Sequence, residues 1–369
     1  MRVLVVNAGS SSVKIRLLDA DDTLLREVDI AADRGQAEPG AVTRAIESIG
    51  PADTVGHRVV HGGTSFTGPV IVDAAVLAQL DRLVALAPLH QPPALAALRA
   101  TLRVLPQVPS VACFDTAFHT TLPPAAATYA IPASWRADLG IRRYGFHGLA
   151  HEWAARRAAE LTSPSARIVV AHLGAGSSLC AVGDGRSLDT TMGFTPTAGL
   201  VMASRCGDLD PAVPLWLVEQ AGLAARDVAA ALDHASGLAA LAGISDMRAV
   251  LAAEKSGDPR AELAVAVWLH RLRGGIAAMV AALGGLDVLV FSGGIGEHQA
   301  GLRERVVAGL GFLGLELDPA ANCTVQPGCD ADLSGRNAQA RTLVVHTRED
   351  LVIADQVRTT LAGKSSSRR

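Results

Sequence analysis

Apolar residues fall along this chain in two patterns. A short unbroken run at 3–6 predicts a strand buried on both faces, since neither face shows polar alternation, and 168–171 and 287–291 read as further strands. After the first run comes a small polar turn, residues 7–12, and then a second apolar strand over 13–18. The second half repeats this order, with a strand at 168–171, a Gly/Ser turn at 172–178 and a strand at 179–182. One such hairpin in each half predicts a duplicated fold. Residues 343–346 read as a further strand. Helical spacing appears over 74–87, 93–105, 149–161, 214–220, 226–232, 297–309 and 350–361. A longer helical stretch covers 260–283, with Leu263, Val267, Leu269 and Leu272 at three-to-four spacing and an expected weak point at Gly274-Gly275. Residues 363–369 form a polar, basic tail that is expected to fray.

Strands and helices mixed in two similar halves predict a two-lobed α/β protein with a cleft between lobes. At 369 residues and 49% hydrophobic, with 19% charged, the chain can bury two cores, which excludes disorder and coiled coil. With 36 acidic and 33 basic residues, no charge excess points to nucleic acid or a membrane surface. The five cysteines include no C-x-x-C pair and suit reduced thiols in the cytoplasm. Residues 1–7 turn polar too early for a signal peptide, and no charge-free apolar stretch reaches the roughly 18 residues of a transmembrane helix. Among the 33 basic residues only Lys14, Lys255 and Lys364 are lysines.

The candidate chemistry lies in loops. At the first turn, small residues let backbone amides approach an anion, the hydroxyls of Ser10, Ser11 and Ser12 add donors, and Lys14 returns a positive charge. An ordinary hairpin turn has the same composition. A second glycine-rich turn, Ser292-Gly293-Gly294-Ile295-Gly296-Glu297, follows a strand and opens a helix, as a phosphate-binding turn or a tight β-α turn would. Histidines and arginines gather in other loops: Gly56-His57-Arg58-Val59-Val60-His61, Leu89-His90, Asp115-Thr116-Ala117-Phe118-His119, Tyr144-Gly145-Phe146-His147-Gly148 and Ser204-Arg205-Cys206. These supply cations and one carboxylate, which suits an anionic transition state better than a metal cluster, and H-E-x-x-H spacing is absent.

Taken in order, these motifs, together with His172-Leu173-Gly174-Ala175-Gly176 and Met192-Gly193-Phe194-Thr195-Pro196, resemble the acetate kinase family from residue 2 to about 361. The resemblance implies a duplicated actin-like, ribonuclease H-like fold. Its lobes would be 1–119 plus 351–369, and 120–350. It implies reversible phosphoryl transfer from ATP to acetate, giving acetyl phosphate and ADP. By the same resemblance Asn7 and Glu349 serve a Mg²⁺ site that Mn²⁺ can also fill, and Lys14, Ser10 and Ser12 meet the nucleotide. Arg58 holds the substrate carboxylate, with His90 near the transferred group. Asp115, His147 and Arg205 are catalytic. The ATP site draws on His172, Leu173, Gly174, Ala175, Gly176, Asp246, Met247, Arg248, Gly294, Ile295, Gly296, Glu297 and His298. A homodimer is also implied.

A carboxylate acceptor is already ionised at neutral pH and needs no general base, so Asp115 is expected to orient Arg58 or metal-bound water. The implied methyl pocket, Val60, Leu89, Phe146 and Pro196, is bulky or rigid throughout, which favours acetate over propionate. Ala175, His298 and Arg348 each stand where the family commonly has asparagine, and residues 21–53 form a shortened region; these departures bear on nucleotide preference. A propionate or other short-chain acid kinase, a non-catalytic actin-like ATPase and a nicotinamide-dependent oxidoreductase are the competing classes. The oxidoreductase lacks a full G-x-G-x-x-G.

Overall fold

The structure is a computed structural model that describes residues 1–9, 12–33, 36–38, 40–88 and 90–366. The described residues form two units: residues 1–120, 146–153 and 348 onward in unit 1, and residues 121–145 and 154–347 in unit 2.

Unit 1 holds strands β1 (Val3–Ala8), β2 (Ser12–Leu18), β3 (Leu24–Asp33), β4 (Gln36–Ala37), β5 (Thr54–Val59), β6 (Val70–Ile71) and β7 (Ser110–Phe114). They form one sheet in the order β4-β3-β2-β1-β5-β7-β6. In unit 2, β8 (Ile168–Leu173), β9 (Ser177–Gly183), β10 (Arg186–Thr190), β11 (Val288–Ser292), β12 (Ala331–Asp332) and β13 (Arg341–Val344) form a sheet in the order β10-β9-β8-β11-β13-β12. Both sheets share one plan. An antiparallel hairpin (β1-β2, β8-β9) is followed by two parallel additions (β5 and β7, β11 and β13). The duplication expected from the two Gly/Ser turns is therefore present in the strand pairing. The register places Asn7 opposite Lys14 in one hairpin and His172 opposite Ser178 in the other.

The unbroken apolar run of β1 is explained by cover on both faces. Leu4 and Val6 pack with Ile15, Ile46 and Ala94. Val3 and Val5 face the opposite way, toward Leu149, Val352, Ile353 and Val357. The last three belong to the helix Glu349–Ser366, whose first turn carries Glu349 and Asp350, a favourable place for acidic residues near the positive helix end.

Some elements differ from the sequence reading. The helix expected over 297–309 is two helices, Gly293–His298 and Ala300–Ala308, joined at Gln299. The helical stretch expected over 74–87 ends as an α-helix at Arg82 and tightens into a 3-10 turn, Leu83–Leu86. The helix Pro259–Leu283 runs unbroken through Gly274-Gly275, and since a Cβ at Gly275 would meet Leu179 Cδ1 at 2.7 Å, the glycine lets the helix lie close on β9. That helix has the length and apolarity to cross a membrane. Ala261, Val265, Trp268, Leu272 and Ile276 are instead buried in the core of unit 2. The expected frayed tail is helical as far as Ser366; residues 367–369 lie outside the described residues.

Candidate active site

In unit 1, strand ends and one turn converge on a buried ion pair. Arg58, on β5, points its guanidinium at Asp115, just past β7: Nε donates to Oδ1 at 3.0 Å and Nη2 to Oδ2 at 2.5 Å. Nη1 donates to the Ala8 carbonyl at 3.2 Å and reaches Asn7 Oδ1 at 3.5 Å. Asn7 Nδ2 in turn donates to Glu349 Oε2 at 2.6 Å. The Arg58 and Asp115 side chains are 12% and 1% exposed, so water screens the pair poorly. Burial pushes the Asp115 carboxyl upward, and the Arg58 guanidinium opposes that shift. Burial would also ease the proton off Arg58, but the charges of Asp115 and Glu349 outweigh it and hold the guanidinium protonated.

The turn at 146–148 is built onto the same carboxylate. His147 has φ 56°, an uncommon left-handed conformation for a residue with a Cβ. Its amide hydrogen-bonds the Asp115 side chain, and Gly148 N donates to the Asp115 carbonyl at 2.8 Å. A Cβ at Gly148 would stand 2.1 Å from that carbonyl oxygen, so only glycine fits. Phe146, 1% exposed, packs edge-on to His61, and its carbonyl lies 3.0 Å from His119 Nε2. His151 lies one turn beyond His147 on the helix Gly148–Leu161 and touches both the His147 and His119 rings. Val60 is buried. His90 precedes the helix Gln91–Val104, and Gln91 Oε1 accepts from the His61 amide at 3.0 Å. Lys14 is exposed on β2, between Asn7 and Asp29 across the two neighbouring strands. Ser12 begins β2, and its carbonyl accepts from Gly9 N at 2.9 Å. Ser10 and Leu89 lie outside the described residues.

Unit 2 brings its two glycine turns together, because β8 and β11 pair in parallel with His172 beside Ser292. His172 Nδ1 is 3.1 Å from Ser292 Oγ. The Gly174-Ala175-Gly176 turn closes with Gly174 N donating to the Gly176 carbonyl at 3.1 Å, leaving Ala175 exposed at its tip. Gly293 lies directly against Leu173, whose side chain is in the core. Gly294 and His298 are exposed, Ile295 is half-buried, and Gly296 and Glu297 are buried. Arg205 Nη1 donates to the Pro196 carbonyl at 3.0 Å. Asp246 caps the helix Met247–Lys255 and pairs with Arg248, whose hydrogen bond holds the Asp246 carboxyl down at about 2. The Met247 side chain is buried in the core.

Several participants escaped the sequence reading. His151 carried a usable signal, its place four residues after His147 on a helix. Thr347, His346 and Arg303, which brace the Gly293–His298 turn, carried none, since their partners are set by strand pairing and helix packing. Among the described residues no cluster of three or more His, Cys, Asp or Glu is arranged to hold a metal. Asn7 and Glu349 nevertheless adjoin one another through Asn7 Nδ2, and their side-chain oxygens are the donors a hard divalent cation takes, with water completing its shell.

The acetokinase family model matches residues 40–355. The acetate kinase of Nostoc sp. (strain PCC 7120) is 42% identical over 96% of this chain and 98% of its own. The crystal structure of Porphyromonas gingivalis acetate kinase aligns with a TM-score of 0.87 and 35% identity, covering 98% of this chain and 99% of that one. A propionate kinase from Francisella tularensis aligns at 0.86 and 34% identity, covering 96% and 98%.

Proposed function

The chain belongs to the acetokinase family, and on that premise we propose that it transfers a phosphoryl group reversibly between ATP and the carboxylate of acetate through the residues gathered around Arg58 and Asp115. The observation that carries this reading is the bidentate Arg58–Asp115 pair with Asn7 and Glu349 beside it. An acetate oxygen is already a nucleophile, so no proton has to be removed before attack. What the reaction needs is alignment of two anions and neutralisation of charge on the transferring group. Asp115 fixes the plane of the Arg58 guanidinium, whose Nη1, now turned to the Ala8 carbonyl and Asn7, would share its outer edge with the acetate carboxylate. The Asp115-anchored turn at 146–148 holds His147 in a single backbone conformation, so its imidazole serves as a fixed donor to the phosphoryl oxygens. Arg205, anchored on the Pro196 carbonyl, is the further guanidinium that the family resemblance assigns to the reaction.

Asn7 and Glu349 would hold Mg²⁺, or Mn²⁺ in its place. When bound, the cation draws charge from the phosphate oxygens. Lys14, Ser10 and Ser12 serve the nucleotide from the first hairpin. The second site is made by His172 to Gly176, by Gly294, Ile295 and His298 with the buried Gly296 and Glu297 behind them, and by Asp246, Met247 and Arg248. With Leu173 and Met247 in the core, those two can meet a ligand only through their backbone.

Acetate is the preferred acid, because Val60 and Phe146 are both buried bulky groups that leave little room for an added methylene. Propionate is the second reading, favoured by the likeness to the Francisella tularensis propionate kinase. The active form is a cytoplasmic homodimer. The helix Ala212–Glu219 supports the dimer, for Leu215 and Trp216 are 61% and 59% exposed and a second copy would cover them. The deciding experiment supplies ATP, Mg²⁺, acetate and hydroxylamine to the purified chain and looks for acetyl hydroxamate. Its absence, with ATP intact, would overturn the reading.

A further inference from the structure

The Gly293–His298 turn has two faces that do different things. Gly294 and His298 stand one helical turn apart and both are exposed, with open space beyond Gly294. On the other face the Glu297 carboxylate, 8% exposed, is turned inward and fully engaged. Oε1 accepts from Gly293 N at 3.0 Å, from Thr347 N at 3.1 Å and from Thr347 Oγ1 at 2.7 Å. Oε2 lies 2.7 Å from His346 Nδ1. Burial pushes this carboxyl upward, yet hydrogen bonds from His346 and Thr347 prevail and bring it down to about 2. The backbone of the turn is held as well. The buried Arg303 donates from Nη1 to the Gly296 and Glu297 carbonyls at 2.9 and 2.8 Å, while its Nε donates to Asn322 Oδ1 at 2.8 Å.

We propose that Glu297 is a positioning residue for the nucleotide turn, locked by Thr347 and His346, and not itself a ligand to the nucleotide. A carboxylate that already takes three donors at Oε1 and His346 at Oε2 is committed to holding the turn, and its charge would repel a phosphate. Its effect is to fix where Gly294 and His298 stand. The same hydrogen bonds fix residues 346 and 347, which lead directly into Glu349, the helix-initiating carboxylate beside Asn7. This rests on the kinase reading above.

The test uses the full chain with Glu297→Gln, Thr347→Val and Thr347→Ser. Calorimetric titration with ADP reads the turn without any turnover, and steady-state kinetics gives KM for ATP and for acetate separately. Glu297→Gln and Thr347→Val are expected to weaken ADP about tenfold, the worth of one charge-assisted hydrogen bond, and to raise KM for ATP in parallel. KM for acetate should stay within about twofold, and Thr347→Ser, which keeps the hydroxyl, should restore ADP binding. Unchanged ADP affinity in Glu297→Gln, or Thr347→Ser as weak as Thr347→Val, would overturn the proposal. If Glu297→Gln does not fold, the Thr347 pair decides. If wild-type protein binds ADP but forms no hydroxamate, the kinase reading fails while the ADP titrations still judge the clamp.

Discussion

Arg58 and Asp115 meet in a fork-to-fork pair that leaves neither carboxylate oxygen of Asp115 without a guanidinium donor. A residue so engaged is suited to hold its partner rather than to accept a proton. Arg58→Ala is therefore expected to cost about 10²–10³ in kcat, the usual loss of one donor aimed at developing charge. Asp115→Asn keeps shape and loses the charge that orients the guanidinium, so it should raise KM for acetate as well as lower kcat. Steady-state rates with acetate as the varied substrate check both. An Arg58→Ala protein keeping more than about a tenth of the rate would contradict the assignment.

Lys14 is exposed on β2 between Asn7 and Asp29. A compact ammonium suits a point contact with phosphate, and a planar guanidinium is wider. Lys14→Arg should raise KM for ATP, whereas Lys255→Arg, at the end of the helix Met247–Lys255, should not. ATP titrations of the two proteins give the comparison.

Val60→Ala should open the acid pocket. One methylene in a fitted apolar site is worth about 1–3 kcal/mol, so the propionate-to-acetate ratio of kcat/KM should rise by roughly 10-fold or more. A ratio that does not move would remove Val60 from the pocket.

His57, on β5 beside Arg58, is 1% exposed, and neither ring nitrogen has a hydrogen-bond partner among the described residues. Burial lowers its pKa from 6.5 to about 3, and burial likewise lowers His61 to about 4. Both imidazoles stay neutral in the folded state, while the unfolded chain takes up protons below about pH 6.5. Stability is thus constant above that pH and falls as pH drops toward 3–4. At pH 5 the loss from His57 alone is about 2 kcal/mol. Urea midpoints at pH 7 and pH 5 should differ for wild-type protein and differ less for His57→Met. An equal drop in both would place the acid sensitivity elsewhere.

Trp216→Glu should shift the mass measured by light scattering from a dimer to a monomer, if the exposed Leu215–Trp216 face is what a second copy covers. A variant that remains dimeric would assign the interface to another surface.

The strand-turn-strand repeats were legible because a doubly covered strand has to be continuously apolar, as Val3 to Val6 and Ile168 to Ala171 are. Asp115 and His147 were legible for a different reason, as charged and imidazole groups where no helix face called for them, whereas Arg58, expected in a loop, lies within β5. Contacts between distant segments were not legible. That Gln299 breaks the expected 297–309 helix depends on Arg303 reaching Asn322 and the Gly296 carbonyl, a meeting that only tertiary packing arranges. The close approach of Leu179 to Gly275 within the continuous helix Pro259–Leu283 is likewise a tertiary contact. Glu297 was assigned to the ATP site by the resemblance alone, and the engagement of its carboxylate by Thr347 and His346 was not legible because those residues come from a distant segment.

The helix Glu349–Ser366 covers the Val3 and Val5 face of β1, although it is synthesised after every residue of unit 2. A nascent chain consequently finishes its second unit first, and must keep the apolar underside of its first sheet from misassociating until Val352, Ile353 and Val357 leave the ribosome. Order of synthesis and order of completion are reversed. Chaperone capture of stalled chains should fall sharply once residue 357 has cleared the exit tunnel, making this helix the timer for release of the nascent protein.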